Sequence, residues 1–148
     1  MVIFVHFPEW GFKFHMNDVS ASIGMANLAE VQENVIDKHK DNGKFYDEAL
    51  KGIDGVTLLE RDDRMESSYW IYSLLVEDKD KFAAHMKECG IATSQVHERN
   101  DIHSCLTEYR CDLPNLDTIK NRLTAIPVGW WVTNEEREYI VECIKKGW

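Results

Sequence analysis

A cluster of polar side chains at residues 97–105 has the residue types of a ligand-binding or catalytic site. The segment reads His97-Glu98-Arg99-Asn100-Asp101-Ile102-His103-Ser104-Cys105. Two imidazoles, two carboxylates and a thiol could hold a metal ion, but the HExxH spacing of zinc proteases is absent, and the arginine at the centre disfavours a cation. Cys105 with His97 or His103 could also form a nucleophile and its base.

An anionic or sugar-like ligand fits this segment better than a metal ion. Arg99 offers a forked donor for phosphate or carboxylate. Asn100 and the histidines, including His103, offer neutral hydrogen bonds. The alternative is a solvated loop whose polar groups make only local turn bonds. The residues alone leave these interpretations open.

Three polar side chains alternate along the chain just before a predicted helix. They are Lys13, His15 and Asn17. Alternation places all three on one side of an extended chain, and the helix N-terminus beside them adds N–H donors. This pattern favours an anion-binding cradle, whereas the simpler interpretation is a lysine and a histidine on a solvent face before a helix cap.

Phosphate-binding glycine loops are absent from the sequence. None of the patterns GxGxxG, GxxxxGK and GxSxG occurs. Trp10 and the Trp130–Trp131 pair could stack on a sugar or a base, although such aromatic residues more often lie in a core or an interface.

The elements that must position these residues alternate between helix and strand. A long helix is predicted over 18–51, capped by Asn17 or Asp18 and ended near Gly52. Residues 20–29 of this helix are mostly small, which predicts close packing against another body. Strands are predicted at Val56–Glu60, Ser68–Val76, Ala92–Val96 and Ala125–Val128. Helices are predicted at Lys79–Cys89 after Asp78, at Leu116–Leu123, and after a Thr133–Glu136 capping box. The pattern predicts an α+β fold, with a small, mainly antiparallel sheet covered by helices on one face and a long N-terminal helix.

Length and composition set further limits on the protein. The chain has 148 residues, which is the size of one domain, and a formal net charge of −9. This charge disfavours nucleic acid and anionic membranes as partners, and no apolar run is long enough for a membrane span. The four cysteines are expected to be reduced thiols, and we expect a cytoplasmic location because no convincing signal peptide begins the sequence.

Several motifs together resemble one enzyme family. Residues 10–28, WGFKFHMNDVSASIGMANL, are similar to the signature G-[YF]-[NK]-[YF]-x-M-[TN]-[DE]-x-x-A-[AS]-x-G-x-x-x-L of the DegT/DnrJ/EryC1/StrS family. Ser68–Tyr72 is similar to the family's SYHLY strand, and Cys89–Thr93 to its RGI-x-T motif. Ile126–Val128, followed by Thr133–Glu136, is similar to its final helix entry.

This resemblance implies a fold, a cofactor and a reaction. Members are sugar-nucleotide aminotransferases of the aspartate-aminotransferase fold (fold type I), which use pyridoxal phosphate (PLP) to aminate keto-sugars linked to nucleoside diphosphates. The resemblance covers only the C-terminal small domain, so residues 1–148 are expected to form that single domain. The family's cofactor lysine lies upstream of the Gly11 motif, and only ten residues, none of them lysine, precede Gly11 here. We therefore expect the large PLP-binding domain to be absent and the chain to be inactive alone.

The resemblance also implies roles for particular residues. Lys13 and Asn17 are expected to bind the cofactor, with Lys13 reaching the cofactor phosphate of the other subunit. His15 stands where many members have arginine or asparagine. Together with Arg99, Asn100 and His103, it is expected to contact the nucleotide sugar. No residue of this chain is expected to be catalytic or to bind a metal.

The nature of the partner remains open at this stage. The first hypothesis is a domain that works with a nucleotide-sugar substrate in a homodimer or with a large-domain partner. The second is a freestanding binding or oligomerisation module derived from that domain, since exposed apolar surface tends to associate. The third is an unrelated α+β metabolite-binding domain.

Overall fold

The computed structural model describes residues 15–62 and 64–148. The predicted extended segment Met1–Trp10 and the predicted ligand Lys13 lie outside the described residues. In the described part the helices are α1 (Asp18–Val31), α2 (Asp37–Ala49), α3 (Lys79–Glu88), α4 (Pro114–Ile119) and α5 (Asn134–Lys145), and the strands are β1 (Val56–Leu58), β2 (Tyr72–Val76) and β3 (Leu123–Ile126).

The long N-terminal helix is confirmed, with one irregularity. The Oδ1 atom of Asn17 accepts the N–H of Ser20 at 2.8 Å and starts the helix. A π-helical turn, Gln32–Ile36, separates α1 from α2, and Gly52 with a φ of 74° follows the end of α2. A left-handed residue of this kind is favourable for glycine and ends the helix.

The sheet has three antiparallel strands in the order β1-β2-β3. Val56 pairs with Val76 on one side of β2, and Tyr72 pairs with Ile126 on the other. Along β2 the side chains of Tyr72, Leu74 and Val76 are buried, as alternation on a half-buried strand requires. The predicted α+β fold with a small antiparallel sheet is therefore confirmed.

One core joins this sheet face to three helices. It contains Tyr46 of α2, Phe82 and Met86 of α3, and Ile140 and Ile144 of α5. The helix starts of α3 and α5 follow their predicted caps: the side chain of Asp78 accepts the N–H of Lys81, and Thr133 and Glu136 form a reciprocal capping box.

Several predicted boundaries are wrong. The strand predicted at Ser68–Val76 begins only at Tyr72, because Tyr69 has a left-handed φ of 49° that interrupts an extended chain. Ala92–Val96 is not a strand, since only Ser94 forms an isolated bridge, to Ala125. The helix predicted at Leu116–Leu123 starts and ends earlier, with Pro114 in its first turn. The following strand, predicted at Ala125–Val128, shifts with it to Leu123–Ile126.

Other boundaries differ by fewer residues. The strand predicted at Val56–Glu60 ends at Leu58, and the helix predicted to reach Cys89 ends at Glu88. The polar loop at 97–110 contains two short 3₁₀ turns, Asn100–Ile102 and Ser104–Tyr109. Within the described chain α1 has no buried residue, so the close packing of residues 20–29 against another body stays a prediction.

Candidate functional site

The polar loop borders a cavity of about 440 Å³. Apolar side chains of the segment 113–123, including Leu116, Ile119 and Leu123, form part of its wall. Arg99 and Asn100 also line the cavity, together with His97. The structure therefore brings two of the predicted substrate ligands to one concave, mixed polar and apolar site, which is the usual form of a small-molecule pocket.

Arg99 binds two carboxylates of its own chain. Its Nε and Nη2 atoms donate to the two oxygens of Asp101 at 2.7 and 2.6 Å, and its Nη1 donates to Asp117 of α4. This bidentate geometry fixes the guanidinium in place. The hydrogen bonds that Arg99 donates, first to Asp101 and then to Asp117, raise the pKa of Arg99 above its usual range. Arg99 therefore links the loop to α4 at the rim of the cavity.

A second arginine, Arg110, forms hydrogen bonds with the backbone in the middle of the loop. Arg110 donates from Nε to the carbonyl oxygen of Asp101 at 2.6 Å and from Nη2 to that of Ile102 at 3.1 Å. The carbonyl of Asn100 accepts the N–H of His103, which closes the first 3₁₀ turn. The side chain of His103 is exposed and does not line the cavity. Of the predicted ligands in this loop, only His103 is thus placed away from the cavity wall.

The ion pair between Arg99 and Asp101 predicts a defined pH dependence. The hydrogen bond from Arg99 lowers the pKa of Asp101, so the pair stabilises the loop above the ordinary aspartate pKa and is lost as the pH falls through the lowered value. Arg99→Gln should raise the pKa of Asp101 toward the ordinary aspartate range, measured from its carboxyl carbon NMR shift. Arg64→Gln is the matched control, because Arg64 lowers the pKa of Asp62 instead. An unchanged Asp101 titration in Arg99→Gln would contradict this assignment.

The predicted anion cradle before α1 is only partly described. Asn17 uses its Oδ1 atom to cap α1, and His15 is exposed. Since Lys13 lies outside the described residues, its alignment with His15 and Asn17 stays a prediction.

The thiol and metal interpretations of the loop find no geometric support in ranges 15–62 and 64–148. Within them, no group of three or more histidine, cysteine or acidic side chains could hold a metal ion. Cys105 is exposed, and its described contacts include no histidine. The cysteine–histidine contact that the structure does show is elsewhere, between Cys89 Sγ and His85 Nε2 at 3.8 Å.

The sequence analysis did not identify a hydrogen-bonded group next to the sheet, in which two tyrosine hydroxyls share one carboxylate. The hydroxyls of Tyr69 and Tyr72 donate to the two oxygens of Asp47 at 2.6 and 2.8 Å, and the guanidinium of Arg61 lies 4.8 Å from the Tyr69 ring centre. Burial, followed by the bond to Asp47, raises the pKa of Tyr69 to about 12 and raises that of Tyr72 as well. Both hydroxyls therefore remain donors at neutral pH. The only sequence signal was the aromatic run at 69–72, which predicted a strand.

The cavity of the polar loop does not by itself offer the groups of a PLP site. Such a site needs a free lysine amine and a cradle for the phosphate group. The lysine at the cavity, Lys120, donates from its ammonium group to Asp117 at 3.2 Å, and the guanidinium of Arg99 is neutralised by two carboxylates.

No helix among residues 15–62 and 64–148 has the length and apolar character to cross a membrane.

Comparison with known proteins gives consistent matches. Residues 4–145 match the model of the DegT/DnrJ/EryC1/StrS aminotransferase family. The structure is similar to that of the sugar aminotransferase CalS13 from Micromonospora echinospora, with 46% identity and a TM-score of 0.91 over 95% of this chain and 38% of that one. AtS13 from Actinomadura melliaura gives 42% identity, a TM-score of 0.91 and the same coverage.

A further relative is similar in sequence. The erythromycin biosynthesis sensory transduction protein EryC1 of Saccharopolyspora erythraea is 23% identical over 70% of this chain and 30% of its own length. The chain thus spans well under half the length of each of these relatives. The family match also removes the third hypothesis, an unrelated metabolite-binding domain.

Proposed function

Because the chain belongs to the DegT/DnrJ/EryC1/StrS aminotransferase family, we propose that it supplies the small, C-terminal domain of an enzyme that aminates nucleotide-linked keto-sugars in amino-sugar biosynthesis. CalS13, which is described as a sugar aminotransferase, supports the substrate class. This chain spans 38% of CalS13, so the reaction also requires the part of the enzyme that this chain does not match. That part would carry the cofactor lysine.

The observation that carries the proposal is the exposed apolar surface of α1. Val19, Ile23 and Leu28 are 70%, 57% and 72% exposed, and no residue of α1 is buried. Leu28 lies on the opposite face from Val19, because nine residues at about 100° each end half a turn away. A helix that is apolar on opposite faces is typically enclosed by protein. We assign this role to the large domain, on the same or a separate polypeptide.

The residues of this chain would act by binding and orientation. Lys13 and Asn17 would bind the phosphate of the cofactor, with Lys13 acting across a homodimer. His15, Arg99, Asn100 and His103 would contact the nucleotide sugar. When bound, PLP supplies the electron sink for amino transfer, and no residue of this chain takes a catalytic role. The proposed location is the cytoplasm.

A second candidate function is a freestanding oligomerisation module. The same exposed helix favours it, since large apolar patches mark interaction sites. In that case α1 would pair with a second copy of the chain, and neither cofactor nor substrate would be required.

Charge substitutions on α1 test the docking role of this helix. Val19→Glu and Ile23→Glu should each abolish the complex between this chain and a separately produced large domain of CalS13, measured by sedimentation velocity. An isolated charge without a partner disfavours burial. Lys51→Glu, at an exposed turn outside α1, is the control and should leave the complex intact. Complexes that survive both α1 variants would contradict the proposal, and self-association that only these variants abolish would favour the oligomerisation module.

A further inference from the structure

Two exposed tryptophans line an open groove at the outer edge of the sheet. Trp70 and Trp131 are 72% and 62% exposed. The groove has a volume of about 370 Å³ and runs along the edge where Ser94 pairs with Ala125. Among the described residues, none of those lining it carries a charge. Its surface therefore suits a flat, neutral group rather than a phosphate.

Trp70 follows a residue that is held in a strained conformation. Tyr69 has a φ of 49°, a left-handed conformation that is unfavourable for a tyrosine and persists only where the surroundings enforce it. Its carbonyl accepts a hydrogen bond from Nδ1 of His39 at 2.9 Å, and its hydroxyl donates to Asp47. Its ring packs so closely on Gly43 that a Cβ atom there would lie 2.1 Å from a ring carbon. The backbone that presents Trp70 to solvent is thus fixed from several sides.

The same buried histidine supports Trp131. The rings of His39 and Trp131 meet edge to face with centres 6.2 Å apart, and His39 is only 8% exposed. The indole of Trp131 also packs against Gly129, where a Cβ atom would lie 2.3 Å from it. His39 therefore contacts both the ring of Trp131 and the residue that precedes Trp70.

The groove adjoins the cavity of the polar loop. The ring of Trp70 lies with its centre 6.4 Å from that of His97, and His97 lines the cavity. A ligand that spans both would place a neutral planar group in the groove that the tryptophans line, and its polar remainder beside Arg99 and Asn100. Stacking on an aromatic side chain is available to every nucleobase because each has a π face.

From this arrangement we infer that Trp70 and Trp131 form the binding site for the base of the nucleotide-linked substrate. The inference rests on the proposed function for the identity of the ligand. It adds a base-recognition role for two residues, one of which, Trp70, the sequence did not single out.

Calorimetric titration of the 148-residue chain tests this inference. The probes are uridine diphosphate, uridine, methyl glucoside and inorganic pyrophosphate. We expect uridine and uridine diphosphate to bind. Trp70→Ala and Trp131→Ala should each weaken that binding by about tenfold to a hundredfold. Trp70→Phe, which keeps an aromatic face, should retain most of the affinity.

Trp130→Phe is the matched control, because Trp130 is also exposed but does not line the groove. It should leave nucleoside binding unchanged. The inference is overturned if neither uridine compound binds, if only methyl glucoside or pyrophosphate binds, or if the alanine variants bind uridine like the original chain. Each of these results is independent of amino transfer by the assembled enzyme, so base recognition can fail while the proposed function stands.

Discussion

Replacing Gly43 by alanine is expected to destabilise the protein by about 1–3 kcal/mol, the range typical of overpacking. Gly43 lies in α2, and the added methyl group would sit 2.1–2.6 Å from three atoms of the Tyr69 ring. The ring cannot move aside freely because its hydroxyl is bonded to Asp47 and its carbonyl to His39. The free energy of unfolding, measured in urea, should therefore fall despite the higher helix propensity of alanine.

Gly24→Ala provides the matched control for Gly43→Ala. Gly24 lies in α1, and apart from its own helix no described residue lies within 4 Å of the position that its Cβ would occupy. This variant should show no decrease in stability, since alanine favours a helix over glycine by about 0.5–1 kcal/mol. Equal effects of the two substitutions would contradict the tight contact between Gly43 and Tyr69.

Asn42→Ala is expected to cost about 2–4 kcal/mol, because several buried polar groups lose a partner at once. Asn42 is 3% exposed. Its amide nitrogen lies 3.1–3.4 Å from the carbonyl oxygens of Val128, Gly129 and Val132. Its Oδ1 atom accepts a hydrogen bond from Arg137 at 3.1 Å. The substitution would release the segment before α5 from α2, and urea unfolding would report the loss.

Asn34→Ala is the control for this second prediction. Asn34 is exposed and donates to Glu30 within the same helical stretch. Its loss should change the free energy of unfolding by less than about 0.5 kcal/mol, as is usual at surface positions. A small effect of Asn42→Ala, similar to that of Asn34→Ala, would show that the buried amide does not hold the two segments together.

The parts of the fold that sequence could predict depend on local chemistry. The sequence predicts the caps at Asp78 and Thr133 and offers Asn17 or Asp18 for the first helix, of which the structure uses Asn17. These caps are predictable because each satisfies a backbone N–H only three residues away. The strand β2 was indicated by its run of aromatic and branched apolar residues. These signals need no knowledge of distant contacts.

The errors arose where tertiary contacts override local preference. Tyr69 reads as a strand residue, yet His39, Gly43 and Asp47 of α2 hold it in a left-handed conformation. Ala92–Val96 reads as a strand, yet only Ser94 pairs with Ala125. Both outcomes depend on residues more than twenty positions away, which local periodicity does not contain.

Only part of the candidate site could be predicted, because sequence shows residue types but not tertiary contacts. Residue type alone identified the loop with Arg99 and Asn100, and the structure places both at its cavity. That Arg99 is bound by Asp101 and Asp117 depends on the position of α4. The support of Trp70 by His39 and Tyr69 likewise depends on the packing of α2 against the sheet.

An amino-transfer assay tests the central claim most directly. The pure chain, the large domain of CalS13 produced separately, and their mixture would each be incubated with PLP, an amino donor and a nucleotide-linked keto-sugar. The account predicts no amino-sugar product from the pure chain and product from the mixture. Product formed by the pure chain would contradict it, and so would an inactive mixture in which the two chains form a stable complex.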